Sequence, residues 1–198
     1  MKLYTAERSG HAHTVRNFLS ILGLACEHVE LSTADRETRK EPFLAINPFG
    51  QIPALDDDGF VVRDSHAILV YLAKKYDDAN RWLPEDPEGA ARVAEWLATS
   101  TIDLVIGAAW ARAITHFGRP WDLDAAQKRA ERLLALMESH LEGRTWLAAD
   151  HATIADISMY SYTARAPEGG VALEPYENVR AWLERVEAIE GFTPMIHL

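Results

Sequence analysis

The sequence predicts an α/β unit followed by an all-helical bundle. Three observations predict it: strand and helix patterns alternate through the first eighty residues, a polar stretch with two prolines interrupts the chain at 78–87, and beyond it the strand signal disappears. A first domain is therefore expected at 1–77 and a second at 88–198, joined by the linker 78–87.

Each element has a local reason. Lys2-Leu3-Tyr4-Thr5 reads as a strand, and Val15, Phe18, Leu19 and Leu22 recur at helical spacing until Gly23 ends the pattern. A second strand is expected at about 27–31, followed by a short linking helix. After Pro48 and Gly50, the runs Ile52–Leu55 and Phe60–Val62 flank an Asp-Asp-Asp-Gly turn, a hairpin signal. Ser65 then opens a helix with Ile68, Leu69, Leu72 and Tyr76 inward. Past the linker, Val93, Leu97, Leu104 and Ala108 mark one long helix. Leu123, Ala126, Ala130, Leu133, Met137 and Leu141 mark another, closed by Gly143. Thr153 with Asp156 three residues later is a capping-box pattern ahead of Ile157, and Val179, Trp182, Leu183 and Val186 define a last helix.

Composition narrows the function. An apolar content of 48% over 198 residues is ample for buried cores. The single Cys26 excludes an internal disulfide and a multi-cysteine metal site, in keeping with a reducing compartment. The net charge of −10 is spread over both halves: residues 1–80 carry 9 basic and 12 acidic side chains, residues 81–198 carry 11 and 18. Neither half has the clustered lysines and arginines that phosphate backbones require, so nucleic acid is not an expected partner. Lys2, Glu7 and Arg8 break the N-terminus, and no stretch is expected to approach the roughly 20 apolar residues of a spanning helix. The expectation is a soluble, cytoplasmic protein with no membrane partner.

Four segments carry the chemistry: Leu3-Tyr4 with Ser9 five residues after the tyrosine, Asn47-Pro48-Phe49-Gly50-Gln51-Ile52-Pro53, Asp64-Ser65-His66-Ala67-Ile68, and Thr153-Ile154-Ala155-Asp156. In this order and spacing the chain resembles, over essentially its whole length, the soluble bacterial glutathione S-transferases, of serine type with theta-like active-site spacing. The resemblance implies a thioredoxin-like first domain, glutathione as co-substrate, a role in detoxification and a two-fold homodimer. It also implies that Pro53 is cis and that Ile52 pairs through its backbone with the cysteinyl part of glutathione, beside Gln51. The acidic–serine pair Asp64-Ser65 would take the γ-glutamyl group. Physical reasoning agrees at this last point, because the first N–H groups of a helix and the Ser65 hydroxyl suit a carboxylate, although Ser65 also reads as a plain helix cap. Arg39-Lys40, the basic spot nearest these residues, is a candidate carboxylate contact or a solvated turn.

The chemistry turns on the glutathione thiol. Its pKa near 8.5 must fall by about two units, about 2.7 kcal/mol, for thiolate to dominate at neutral pH. A charge-assisted hydrogen bond of roughly 1.5–3 kcal/mol with a helix N-terminus of roughly 0.3–1 kcal/mol suffices. Ser9, just ahead of the first helix, is placed to give both, with His11 the second choice. Cysteine-type relatives keep a cysteine just after this point; here Gly10 stands there and Cys26 lies beyond the helix, which argues against a mixed disulfide. His11 and His13 read as His-x-His lack an acidic or cysteine partner, so no metal is expected.

In the second domain Trp110, Ile114, Phe117 and Trp121 would form the pocket for a small hydrophobic electrophile, or else helix packing, with Arg112 and His116 one turn apart as polar contacts. Asp103 lies among apolar neighbours, and the resemblance implies that an acid here can reach the neighbouring subunit's γ-glutamyl amine. Transfer of glutathione to an electrophile is the leading expectation. Glutathione-dependent peroxide or disulfide reduction in the same site is the alternative within enzymes, and a non-catalytic ligand-binding or partner-docking protein the alternative outside them.

Overall fold

The computed structural model describes residues 1–198. The first domain runs β1 (Lys2–Thr5), α1 (Gly10–Ile21), β2 (Glu27–Glu30), α2 (Phe43–Ile46), β3 (Ala54–Asp57), β4 (Phe60–Arg63) and α3 (Ser65–Tyr76). The strands form one mixed sheet in the order β2-β1-β3-β4: β1 and β2 are parallel, while β3 is antiparallel to both β1 and β4. The β3–β4 hairpin turns through Asp58 and Gly59, both with positive φ, as the Asp-Gly signal predicts.

The second domain is helical: α4 (Pro87–Thr99), α5 (Trp110–Phe117), α6 (Leu123–His140), α7 (Ile154–Ala164) and α8 (Glu177–Glu187). The long helix expected from Val93 to Ala108 spans Pro87–Phe117, but between α4 and α5 the residues Ser100–Ala109 are wound as a wider π-helix. An 18-residue window of this run has mean hydropathy 1.3, which by length and composition is enough to cross a membrane. That corrects the expectation that no stretch approaches a span; the apolar character has a use here, because the run packs against α6 and α7. At the crossing with α6, Gly107 admits the Ala130 backbone so closely that a Cβ would lie 2.9 Å from its nitrogen.

Two cores hold the chain together. One joins Leu3, Val15, Phe18, Leu55, Ile68 and Leu72 of the first domain to Val93, Ile154 and Ile157 of the second. The other, around Leu104, Leu133, Met137, Tyr160 and Trp182, lies within the second domain. The capping box is present in full, with Thr153 accepting from Ala155 N and Asp156 from Thr153 N.

Candidate functional site

Register decides which residues meet. Tyr4 in β1 lies opposite Ala54 in β3, and Ala54 lies opposite Arg63 in β4. The end of β1, the start of β3 and the end of β4 therefore share one edge of the sheet. That edge gathers the β1–α1 loop with Ser9, the Ile52-Pro53 entry to β3, and Asp64-Ser65 at the start of α3.

The loop ahead of Ser9 is held by two arginines. Arg16 donates to Thr5 Oγ1 at 2.5 Å and to the carbonyls of Ala6 and Glu7 at 3.1 Å each, and Arg112 reaches across from α5 to the Arg8 carbonyl at 3.0 Å. Ser9 caps α1: its Oγ accepts from Ala12 N at 3.2 Å and its carbonyl from His13 N at 2.9 Å. An accepting Oγ keeps its own proton free to donate.

The Ile52-Pro53 peptide is cis. Ahead of it, Asn47 donates from Nδ2 to the Gln51 carbonyl at 2.6 Å, which fixes the turn. Arg39 donates to the Phe49 carbonyl at 2.9 Å, so one candidate anion contact is tied to that turn, while Lys40 is exposed. A Cβ on Gly50, whose φ is +61°, would fall 2.7 Å from the Thr38 carbonyl and 2.9 Å from the Arg39 side chain. The turn thus closes only with glycine.

At the third segment the structure corrects the capping reading. Asp64, with φ of 75°, is the N-cap of α3, its Oδ1 accepting from His66 N at 2.9 Å and Ala67 N at 3.2 Å. Ser65 is the first helical residue, and its buried hydroxyl meets His11 Nδ1 at 3.2 Å. A non-glycine residue in this backbone region costs roughly 1–3 kcal/mol and turns the strand directly into the helix. His66 ties the helix start to the second domain through Thr101 Oγ1 at 3.0 Å and Ser158 Oγ at 2.7 Å.

His11 meets the start of α3 through Ser65. Its ring lies edge-on to Tyr162, centroids 5.2 Å apart. Burial, then the neighbouring His66, lowers its pKa to about 4 against the opposing pull of Asp64, so it is neutral at pH 7. His13 binds different partners, Ser161 Oγ and the Thr193 carbonyl, each at 2.9 Å. The two histidines of the His-x-His motif therefore serve separate networks.

The halves of the sequence match known families separately: residues 3–81 match "Glutathione S-transferase, N-terminal domain" and residues 101–190 match "Glutathione S-transferase, C-terminal domain". The chain belongs to the glutathione S-transferase family. Glutathione S-transferase 3 of Zea mays is 33% identical over 206 residues, covering 97% of this chain and 91% of the relative. The crystal structure of a glutathione S-transferase from Pseudomonas fluorescens aligns with a TM-score of 0.92 at 33% identity, covering 99% of this chain and 98% of that one. A possible glutathione S-transferase from Rhodopseudomonas palustris gives 0.91 at 32% identity, over 100% and 98%. The mixed sheet with its helices, followed by the helical bundle, is the glutathione S-transferase fold.

Within this transferase fold the aromatic stretch of the second domain is half-buried at Trp110 and Ile114 and exposed at Phe117 and Trp121. Trp110 and Trp121 stack with centroids 4.4 Å apart, and Trp121 and Phe117 are exposed, so the stretch forms an apolar surface at the end of α5. Arg112 is buried: Nε binds Glu168 at 2.6 Å. His116 Nε2 meets the Glu168 carbonyl at 3.1 Å. These two polar residues, expected as substrate contacts, brace the 3₁₀ turn Ala166–Gly169 against α5. Asp103 pairs with Arg129 of its own chain at 2.8 Å, both half-exposed. A broad polar cleft elsewhere, lined by Arg81, Asp86, Arg92, Arg144 and His151 among others, contains none of the three gathered segments.

Proposed function

We propose that this glutathione S-transferase binds glutathione along the shared sheet edge, with the Ile52 backbone pairing the cysteinyl unit, Gln51 beside it, and Asp64-Ser65 holding the γ-glutamyl group. Arg39 and Lys40 serve the glycyl end. The observation that carries the reading is the convergence of Ser9, the cis Ile52-Pro53 peptide and the Asp64-capped start of α3, imposed by strand register.

Ser9 donates its free O–H to the sulfur and stabilises the thiolate, which attacks an electrophilic carbon while the leaving group departs with the bonding electrons. The contact of His11 Nδ1 with Ser65 supports assigning this histidine to orienting the Ser65 hydroxyl. Trp110, Ile114, Phe117 and Trp121 receive a small hydrophobic electrophile. The active protein is a cytoplasmic homodimer, with the exposed Phe49 and Ile102 as interface candidates and Asp103, on the long helix, serving the neighbouring site.

The test follows thiolate absorbance of bound glutathione against pH. Ser9→Ala raises the thiol pKa by roughly 1–2 units, whereas His11→Ala moves it less and weakens glutathione binding more. The reverse order transfers the role to His11. Parallel assays with an aryl halide, cumene hydroperoxide and a small disulfide rank transfer against the two reductions; retention on immobilised glutathione with none of the three activities shows a binding protein.

A further inference from the structure

The first four N–H groups of a helix have no partner within it, and at α1 they can be followed one by one. Ser9 N goes to Ala6 O and Ala12 N to Ser9 Oγ. The remaining two belong to Gly10 and His11, the residues against which Tyr162 packs from α7. The ring lies flat against the space a side chain at position 10 would fill: a Cβ on Gly10 would sit 2.5 Å from Tyr162 Cζ, the carbon that carries the hydroxyl. A phenol therefore stands at the mouth of α1, next to Ser9, and its place explains why residue 10 is glycine.

The hydroxyl is also free. It pairs with no other side chain and is not sealed away, the sealed and unpaired side-chain atoms being Arg112 Nη2 and Arg165 Nε. Burial raises the phenol above the ordinary tyrosine range, outweighing Arg112 and the two N–H groups, so the proton stays on at neutral pH. Such a group lacks one thing, an acceptor, and the positive end of α1 with Arg112 nearby favours a negatively charged one.

We propose that Tyr162 is a second catalytic hydrogen-bond donor to the glutathione sulfur, working beside Ser9 from the opposite domain. The inference rests on the glutathione site proposed above. Two donors on one thiolate divide the work of holding it, and the second domain then takes part in activating the thiol as well as in receiving the electrophile. Helix α7, braced by Asp156 at its start and by Ser158 and Ser161 along its length, sets the position of the phenol.

The experiment compares wild type, Ser9→Ala, Tyr162→Phe and Gly10→Ala by thiolate absorbance of bound glutathione as a function of pH, with glutathione affinity measured on each. Tyr162→Phe keeps the ring and its packing and removes only the oxygen. The expected result is a midpoint about one pH unit higher, a tenfold loss of thiolate at pH values below it, with glutathione affinity within about threefold of wild type. Gly10→Ala, which forces the ring aside, shifts the midpoint in the same direction. A midpoint unmoved by Tyr162→Phe while Ser9→Ala raises it overturns the tyrosine's role and leaves the site standing. Wild-type protein that binds glutathione without forming thiolate at neutral pH overturns the underlying reading and this one with it.

Discussion

Replacing Asp156 with alanine removes the anchor of α7. Oδ1 of this carboxylate accepts from Leu147 N at 3.0 Å and Trp182 Nε1 at 2.9 Å, and Oδ2 accepts from Thr153 N at 2.9 Å. Asp156, Thr153 and Trp182 are each 0% exposed. Alanine leaves three donors in a space that water does not reach, and an unsatisfied buried donor costs about 1–3 kcal/mol. The sum is roughly 3–9 kcal/mol, and local relaxation puts the expected loss near 4–5 kcal/mol. That is a large share of the roughly 5–15 kcal/mol available to a folded protein. Urea unfolding followed by tryptophan fluorescence and by circular dichroism reads it directly: with a slope of about 2 kcal/mol/M, the midpoint falls by about 2 M. Thr153→Ala, which removes the cap hydroxyl and leaves the carboxylate's three N–H partners in place, loses only about 1 kcal/mol. A loss below about 1.5 kcal/mol for Asp156→Ala refutes the claim that these three donors depend on one carboxylate.

Stability also depends on pH through the buried histidines. His11 and His13 titrate near 4 in the folded chain, each because burial disfavours the cation, against about 6.5 unfolded. The unfolded chain binds more protons between these values, so stability is full above pH 6.5 and falls as pH drops toward 4, by about 3 kcal/mol per histidine at most. Melting temperatures from pH 7.5 to 4.5 should decline with that profile, and a flat profile rejects it. Below it, Asp57 acts in the same direction: burial raises its carboxyl, but hydrogen bonds from Lys75, Tyr76 and Tyr71 bring it down to about 2, so its contribution is lost from about pH 3.8 downward. In the homodimer proposed above, Phe49→Ser removes an aromatic worth about 1.5–3 kcal/mol when buried, twice over in a symmetric interface. The dimer dissociation constant then rises by about 10²–10⁴-fold, and light scattering reports the 22.2 kDa monomer; a mass held at twice that value rejects Phe49 as an interface residue.

What could be read from the sequence was mostly local. The Asp-Gly turn, the break at Pro84 and Pro87, the apolar stripes and the Thr153–Asp156 box each depend on residues a few positions apart, and each appears in the structure. The π winding of Ser100–Ala109 left no mark on an apolar pattern compatible with either helix. Asp64 and Ser65 were recognisable as a pair, yet their division of labour depends on the positive φ of Asp64, which residue type alone does not reveal. Arg112 looked like a substrate contact because its partners, Arg8 and Glu168, are 104 and 56 residues away. Tyr162 was missed for the same reason, its target Gly10 lying at the far end of the chain. The available clue was a glycine opening a helix, whose lack of a side chain requires a neighbour to fill the space.

The core that joins the sheet to the helices bears on how such a chain can be recombined. Ile154, Ile157 and Val93 are as much part of the first domain's interior as Phe18 or Leu69. A chimera that takes its first half from one relative and its second from another inherits two unmatched surfaces of a single jigsaw. Successful shuffling will have to carry the packing partners from both halves together, so the natural crossover unit is a set of touching residues that cuts across the linker.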